Sequence, residues 1–371
     1  MYLAEWALWC VCIKSDGWIR KNLDRHKDSG IPIFGAVYED TEKEVLALQA
    51  AKRFKHAKTR GPVYACNDTY LEMRCGAMED KRGLVSLFTL ILLYFLIGPL
   101  VAIPGRILWA VVSGSGVVFN RDLYIGDLFI FALLTVLLGG GLWLYFKYAF
   151  RFSRLELLTS RHLLVRFNRI TRQVYLHRPS NCGGILALPW DGVHSEEIAG
   201  LRLVLAWGPG NKSELPFPTS VFIGKQSSRL SDLQSEWEFI RRYMDEGGLQ
   251  AVEQPRISSQ LPLPWPAFTA QFEALGPFLR NSGLLIWLGC LLISPAFVIV
   301  GLSHWASLLL CWRPRWPRVI REAGQPGKPV PAFTTVADYP PDVQAQLLAN
   351  APRWALRPGR APEHRQRGRG Q

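Results

Sequence analysis

Two stretches without an ionisable side chain, Gly83 to Gly105 and Leu128 to Phe146, constrain this chain more than any other feature. A helix needs about 20 apolar residues to cross roughly 30 Å of hydrocarbon, and the stretches supply 23 and 19. Fourteen Leu, Ile, Val or Phe residues in the first are worth on the order of 4 to 8 kcal/mol of insertion energy. Neither stretch has an amphipathic face, and a connector with Ser113, Gly114, Ser115 and Gly116 lies between them. The expectation is a transmembrane helical hairpin over residues 83–146.

A basic band follows at once: Lys147 to Arg178 holds eight Lys or Arg and one acid, Glu156. Lys52, Arg53, Lys55, Lys58, Arg60, Lys81 and Arg82 precede the first stretch, whereas the connector balances Arg106 and Arg121 against Asp122 and Asp127. Lys and Arg near the ends of spans are retained in the cytoplasm, so both ends of the hairpin are expected there. Anionic lipid attracts such a band by about 1 kcal/mol per basic residue near the surface. Arg161, Arg166, Arg169 and Arg172 are therefore candidates for contact with the bilayer or with a partner.

Asn281 to Trp312 is a third stretch, 32 residues free of Asp, Glu, Lys and Arg, which would measure about 48 Å as one helix. A single crossing would strand Arg313, Arg315, Arg318 and Arg321 outside, against the positive-inside rule. Pro295, with Gly301, Ser303 and His304 beyond it, permits a bend. A re-entrant segment or tight hairpin over 281–312 is expected ahead of a straight helix.

At 371 residues and a formal charge of +13, the chain has room for one membrane unit and one or two soluble ones. Much of the charge flanks the apolar stretches or lies in 313–371, where Arg357, Arg360, Arg365, Arg367 and Arg369 face only Glu363 after Arg353. That Pro-, Gly- and Arg-rich tail reads as disordered after about 353, and no nucleic-acid partner is expected. The seven cysteines, Cys10, Cys12, Cys66, Cys75, Cys182, Cys290 and Cys311, are scattered and read as reduced thiols or packing residues. Cys10-x-Cys12 lacks a second pair at metal-site spacing, so no metal and no other cofactor is expected. Glu5 interrupts the apolar start and no small-residue cleavage pattern follows Lys14, so the first span is expected to act as its own insertion signal.

Residues 1–82 read as a small cytoplasmic cap with one amphipathic helix, Glu42 to Lys58, and short strands at Pro32 to Tyr38 and Tyr70 to Met73. The larger soluble unit, 147–248, alternates strand and turn signals. Strands are expected at Leu155–Thr159, Leu163–Phe167, Gln173–Arg178, Ile185–Trp190, Val193–Ile198, Leu201–Trp207 and Leu215–Ile223. Asp191-Gly192 and Gly208-Pro209-Gly210-Asn211 supply turns. A closing helix shows a capping-box pattern at Ser231 and Gln234, with Leu233, Trp237, Ile240 and Met244 on one face, and stops at Gly247-Gly248. The fold class is thus α+β: a membrane hairpin, then an antiparallel meander closed by one helix, the layout of a pleckstrin-homology-like barrel. Residues 249–280 read as a Pro-rich linker.

Two clusters are more specific: Asn67-Asp68-Thr69-Tyr70-Leu71-Glu72 before the first span, and Phe167-Asn168-Arg169-Ile170-Thr171-Arg172-Gln173-Val174-Tyr175 followed by Pro189-Trp190-Asp191 behind the second. With the hairpin between them, they resemble a bacterial family of membrane proteins of unknown function, over roughly Val63 to Gly324. Members are often seen beside type VI secretion effectors. The resemblance implies an inner-membrane location and an immunity or accessory role; no catalytic residue is established for the family, so it implies none here. On physical grounds Asn168 and Thr171 suit a tight turn that fixes hairpin register. Glu72 shares a strand face with Tyr70 and could pair with an Arg of the basic band.

Catalytic patterns are sparse. Gly208 to Ser213 is superficially like a phosphate loop, but its Gly and Lys spacing fits a hairpin turn. His194 with Glu196 and Glu197 is the closest acid–base or metal cluster, and adjacent glutamates on a strand point to opposite sides. The spans carry none of the Asp, Glu, Lys or Arg that proton relays need, while Gly139-Gly140-Gly141 permits close helix packing. The leading expectation is a non-enzymatic membrane protein whose cytoplasmic domain binds another protein, with a secreted effector or a second copy as the candidate partners. A membrane-perturbing toxin and a lipid-responsive sensor are the alternatives.

Overall fold

A computed structural model describes residues 2–13, 57–78, 81–112, 121–196, 202–208, 215–227, 229–272, 279 and 282–354. The strand expected at Pro32–Tyr38, nearly all of the helix expected at Glu42–Lys58, the 113–116 connector and the tail after Trp354 lie outside the described residues. The chain divides into a helical unit, Asp80–Thr159 with Pro262–Trp312, and a β unit, Tyr2–Glu79 with Ser160–Leu261 and Arg313–Gln371.

In chain order the helices are α1 (Leu3–Ile13), α2 (Leu84–Val112), α3 (Arg121–Leu144), α4 (Leu230–Arg242), α5 (Pro264–Phe272), α6 (Leu284–Leu309), α7 (Arg318–Glu322) and α8 (Pro341–Trp354). The strands are β1 (Val63–Cys66), β2 (Tyr70–Cys75), β3 (Leu163–Asn168), β4 (Gln173–His177), β5 (Ile185–Pro189), β6 (His194–Glu196), β7 (Leu203–Trp207) and β8 (Thr219–Ile223).

Among the described residues of the helical unit, three helices are long and apolar enough to cross a membrane: Leu84–Gly105, Phe129–Ser153 and Leu284–Leu309. α2 runs on through Pro99 and Pro104, and α3 continues through a π turn at Tyr145–Ala149 into Phe150–Ser153. Of the three consecutive glycines, Gly141 meets Leu96 at 2.9 Å from where a Cβ would stand, while Gly139 and Gly140 have open space.

The third stretch corrects an expectation. α6 is one unbroken helix with Pro295 inside it, not a hairpin folded at that proline. The chain nevertheless doubles back, because α5 lies antiparallel against α6. Trp305 Nε1 donates to the Pro262 carbonyl at 2.9 Å, the Phe268 ring fills the space beside Gly301, and Phe272 meets Phe297 at 5.5 Å between centroids. Each step forward along α5 matches a step back along α6, so Pro262 is level with the C-terminal end of α6. The reversal falls between α5 and α6, which places an element of structure inside the stretch read as a linker.

The β unit is built on one antiparallel sheet of order β5-β4-β3-β2-β8-β7-β6, with β1 paired to β2. β2 is an inner strand of this sheet, so the segment before the first span is not a separate cap. Alternation divides β2 to β5 into two faces. Leu71, Met73, Val165, Phe167, Val174, Leu176, Leu186 and Leu188 face the main core, with Trp237, Phe239 and Ile240 of α4. The helix stripe expected on α4 is buried throughout, at Leu233, Trp237, Ile240 and Met244. Its first turn differs from expectation: the helix starts at Leu230, so Ser231 is not its cap, and Ser227 Oγ instead bonds Asp232 at 2.7 Å.

β4, β5 and β8 are shorter than expected and β2 and β3 longer, and Leu155–Thr159 forms turns and bends rather than a strand. The reason lies in Glu156, whose Oε1 accepts from Gly83 N at 2.5 Å, Ser86 N at 3.2 Å and Ser86 Oγ at 2.6 Å. The carboxylate supplies the missing acceptors at the start of α2, and a strand ladder could not hold it there.

Candidate functional site

The second face of the sheet is polar in sequence but buried in the structure, because the chain after Arg313 lies across it as a strap. Trp316, Ile320 and Ala323 pack on Leu164, Tyr175 and Ala187. Strand side chains then capture main-chain carbonyls of the strap: Asn168 Nδ2 donates to Ala323 at 2.9 Å and Gln173 Nε2 to Pro331 at 2.8 Å. His177 Nε2 lies 3.3 Å from the Arg315 carbonyl, and burial holds its imidazole below its ordinary pKa. Thr334 closes the β5 edge by bonding Ala187 N and O at 2.8 and 2.9 Å.

Where the strap begins, it leaves a cavity of about 520 Å³ over β2 and β3. The floor is an ion pair between cross-strand partners Glu72 and Arg166. Arg166 Nε and Nη2 donate to Glu72 Oε2 at 3.0 and 2.7 Å, and Trp316 Nε1 donates to the same oxygen at 2.7 Å. Gln260 Nε2 donates to Glu72 Oε1 at 3.1 Å. The guanidinium carbon of Arg166 lies 4.1 Å from the Tyr70 ring centroid and 4.9 Å from that of Trp316, within cation–π range. Arg313, Arg315 and Arg321 line the cavity as well, and Arg313 Nε donates to Gln260 Oε1 at 2.6 Å.

The four arginines singled out in the sequence go to separate places. Arg166 is buried in the cavity floor. Arg161 Nη1 donates to the Gln260 carbonyl at 3.1 Å and lines an adjoining cavity of about 300 Å³ with Arg313. Arg169 reaches the Asp68 carbonyl at 3.4 Å. Arg172, in a left-handed conformation with φ 52°, pairs with Asp191 and, at 3.2 Å, with Asp245; those partners raise its pKa, the Asp191 hydrogen bond most.

The other motif residues build turns and strands. Asn67 Oδ1 accepts from Thr69 N and Tyr70 N at 2.9 and 2.8 Å, which closes the β1–β2 hairpin. Asn168 Oδ1 accepts from Thr171 N at 3.1 Å, and Thr171 Oγ1 lies 3.2 Å from the Tyr175 hydroxyl. Leu71 is core, and Trp190 packs on Phe167 and Trp237 while its Nε1 donates to Asp245 at 2.9 Å. His194 is on β6 opposite Ala206, and Glu197 lies outside the described residues. Burial pushes the Cys12 and Cys182 thiols up to about 12 and Cys66 up to about 11, which suits packing residues better than nucleophiles.

Sequence reasoning missed Gln260, Trp316 and the strap arginines as partners of Glu72. It also read Arg82 only as a flanking charge. In the helical unit Arg82 is fully buried, with Nε donating to Ser307 Oγ at 2.7 Å and Nη2 to the Glu156 carbonyl at 3.2 Å. The available signal was the last basic residue before the hairpin and the single acid in the basic band behind it. No family of known proteins, no curated protein and no solved structure matches the chain.

Proposed function

We propose that this chain is a non-enzymatic, multi-pass inner-membrane protein whose soluble domain faces the cytoplasm and binds a protein partner. The observation that carries the reading is connectivity. The segments before, between and after the two helical excursions belong to one compact β unit, and a folded domain lies on one side of a bilayer. The positive flanks then favour the cytoplasmic side.

A pleckstrin-homology-like arrangement is supported by the two runs β3-β4-β5 and β6-β7-β8 and by α4 covering the sheet's inner face. The chain departs from that layout where β2, from before α2, enters between β3 and β8 with β1 paired to it. A binding role is supported by Glu72, the cavity's acid, whose two oxygens are both occupied by donors and so are poorly placed to accept a substrate proton. The family resemblance makes a type VI effector the first partner to test, with this chain as its immunity or accessory factor. Co-expression with a neighbouring effector should restore growth of a naive bacterium. Growth arrest and depolarisation on expressing the chain alone would overturn this in favour of a membrane-perturbing toxin.

A further inference from the structure

We propose that the cavity between β2–β3 and the strap is a binding site for a phosphoryl anion, carried either by an anionic lipid headgroup or by a free phosphate compound. This does not depend on the protein-partner reading. Among the described residues Glu72 is the only acid lining the cavity, against Arg166, Arg313, Arg315 and Arg321. Its charge is matched by Arg166, which donates two hydrogen bonds to it, leaving three guanidinium groups without a lining counter-charge. Elsewhere in the domain arginines find carboxylates: Arg172 holds Asp191 and Asp245, Arg241 and Arg242 hold Glu238, and Arg318 holds Glu322. Arg315 and Arg321 are exposed, and among the described residues their side chains make no hydrogen bond or ion pair.

The geometry suits a phosphoryl group in other respects. Guanidinium forks match its oxygens in pairs, and the volume falls in the range of small-molecule sites. Arg166 is held rigidly between Tyr70 and Trp316, and Arg313 is oriented by the same Gln260 that supports Glu72, so part of the site is set before a ligand arrives. Chain length bears on the source of the ligand. Arg313 stands four residues beyond Leu309, the end of a helix long enough to span a membrane, and four residues reach at most about 14 Å. That tether makes a lipid headgroup a source worth testing beside a free phosphate compound.

The test uses the full chain in phosphatidylcholine nanodiscs titrated with inorganic pyrophosphate, and in neutral detergent with added phosphatidylglycerol read by native mass spectrometry. The wild type should bind one or both probes, and R315Q/R321Q should lose about tenfold or more in affinity. R318Q, whose arginine is on the strap but paired with Glu322, should bind as the wild type does. Retention of the lipid without pyrophosphate binding assigns the headgroup; pyrophosphate binding that displaces the lipid assigns a free phosphate compound. Raising sodium chloride from about 0.05 to about 0.5 M should weaken wild-type binding severalfold, a readout that does not depend on any variant folding. Equal binding by wild type and R315Q/R321Q, salt-insensitive binding, or no binding of either probe would overturn the proposal.

Discussion

Glu72→Ala removes the acceptor that four donors share at the cavity floor, and its consequence can be worked from the geometry. The Glu72 and Arg166 side chains are only 6% and 7% exposed, so the variant leaves a guanidinium buried without its counter-charge. Breaking one side of such a pair costs about 3 to 5 kcal/mol. Trp316 Nε1 also loses its partner at 2.7 Å, a further loss of about 1 to 3 kcal/mol if no water replaces it. Two terms act the other way: the cavity admits water to Arg166, and the Tyr70 and Trp316 rings retain a cation–π contribution of about 1 to 2 kcal/mol. The net expectation is about 4 kcal/mol, which lowers the melting temperature of a domain this size by roughly 8 to 15 °C. Replacing both charges, E72L/R166M, should recover most of that loss, because a buried pair is close to neutral against a hydrophobic pair of similar volume. Melting of the detergent-solubilised chain, followed by near-ultraviolet circular dichroism, measures both variants. A loss below about 1 kcal/mol for E72A, or a double variant no better than the single one, would refute the reasoning.

Glu236 is fully buried, and desolvation raises its carboxyl from 4.5 to about 7, despite hydrogen bonds from Gly61 N and Thr59 Oγ1. The folded state therefore holds this proton more tightly than the unfolded state. Stability should fall as pH rises from about 4.5 to about 7, by up to about 3 kcal/mol, and then level off; in E236Q, chemical denaturation across pH 5 to 8 should lack that component. Gly224→Ala should destabilise strongly, by about 3 kcal/mol or more, because φ is +73° and the new Cβ would lie 1.9 Å from Glu236 Oε2. G224A/E236A should melt higher than G224A alone if that collision is the cause. In the helical unit, Glu156→Ala should cost about 2 kcal/mol or more and speed proteolysis near residue 83, whereas Glu156→Gln, which keeps an acceptor, should do less.

The legible parts of this chain are those written locally. The long apolar helices follow from uninterrupted hydropathy, β3 and β4 follow from alternation bounded by turns, β7 from a short apolar run, and Asn168 closes a turn as its position suggests. α1 escaped notice because eleven mostly apolar residues carry little periodicity, and Leu155–Thr159 was misread because strand propensity yielded to the capping of α2 by Glu156. The pairing of Glu72 with an arginine of the basic band was within reach, since Tyr70 and Glu72 share a strand face. Trp316 and Gln260 were not: they stand 244 and 188 residues from Glu72, and nothing in Pro314-Arg315-Trp316-Pro317 signals which surface it will cover.

The same long-range element explains why alternation gave the two faces of the sheet but not their exposure. A strand reading apolar in, polar out is expected to show its polar face to water, yet β3 and β4 are buried along their whole length. An apolar outer face would have held the strap by area alone, a non-directional attraction that permits sliding. Polar side chains instead fix its register at separate points, through the carbonyls of Ala323 and Pro331 and the indole of Trp316. Each of those bonds adds only about 1 kcal/mol, but an offset strap would leave several buried polar groups unpaired at once. That penalty selects a single register, and with it the positions from which Arg313, Arg315 and Arg321 line the cavity.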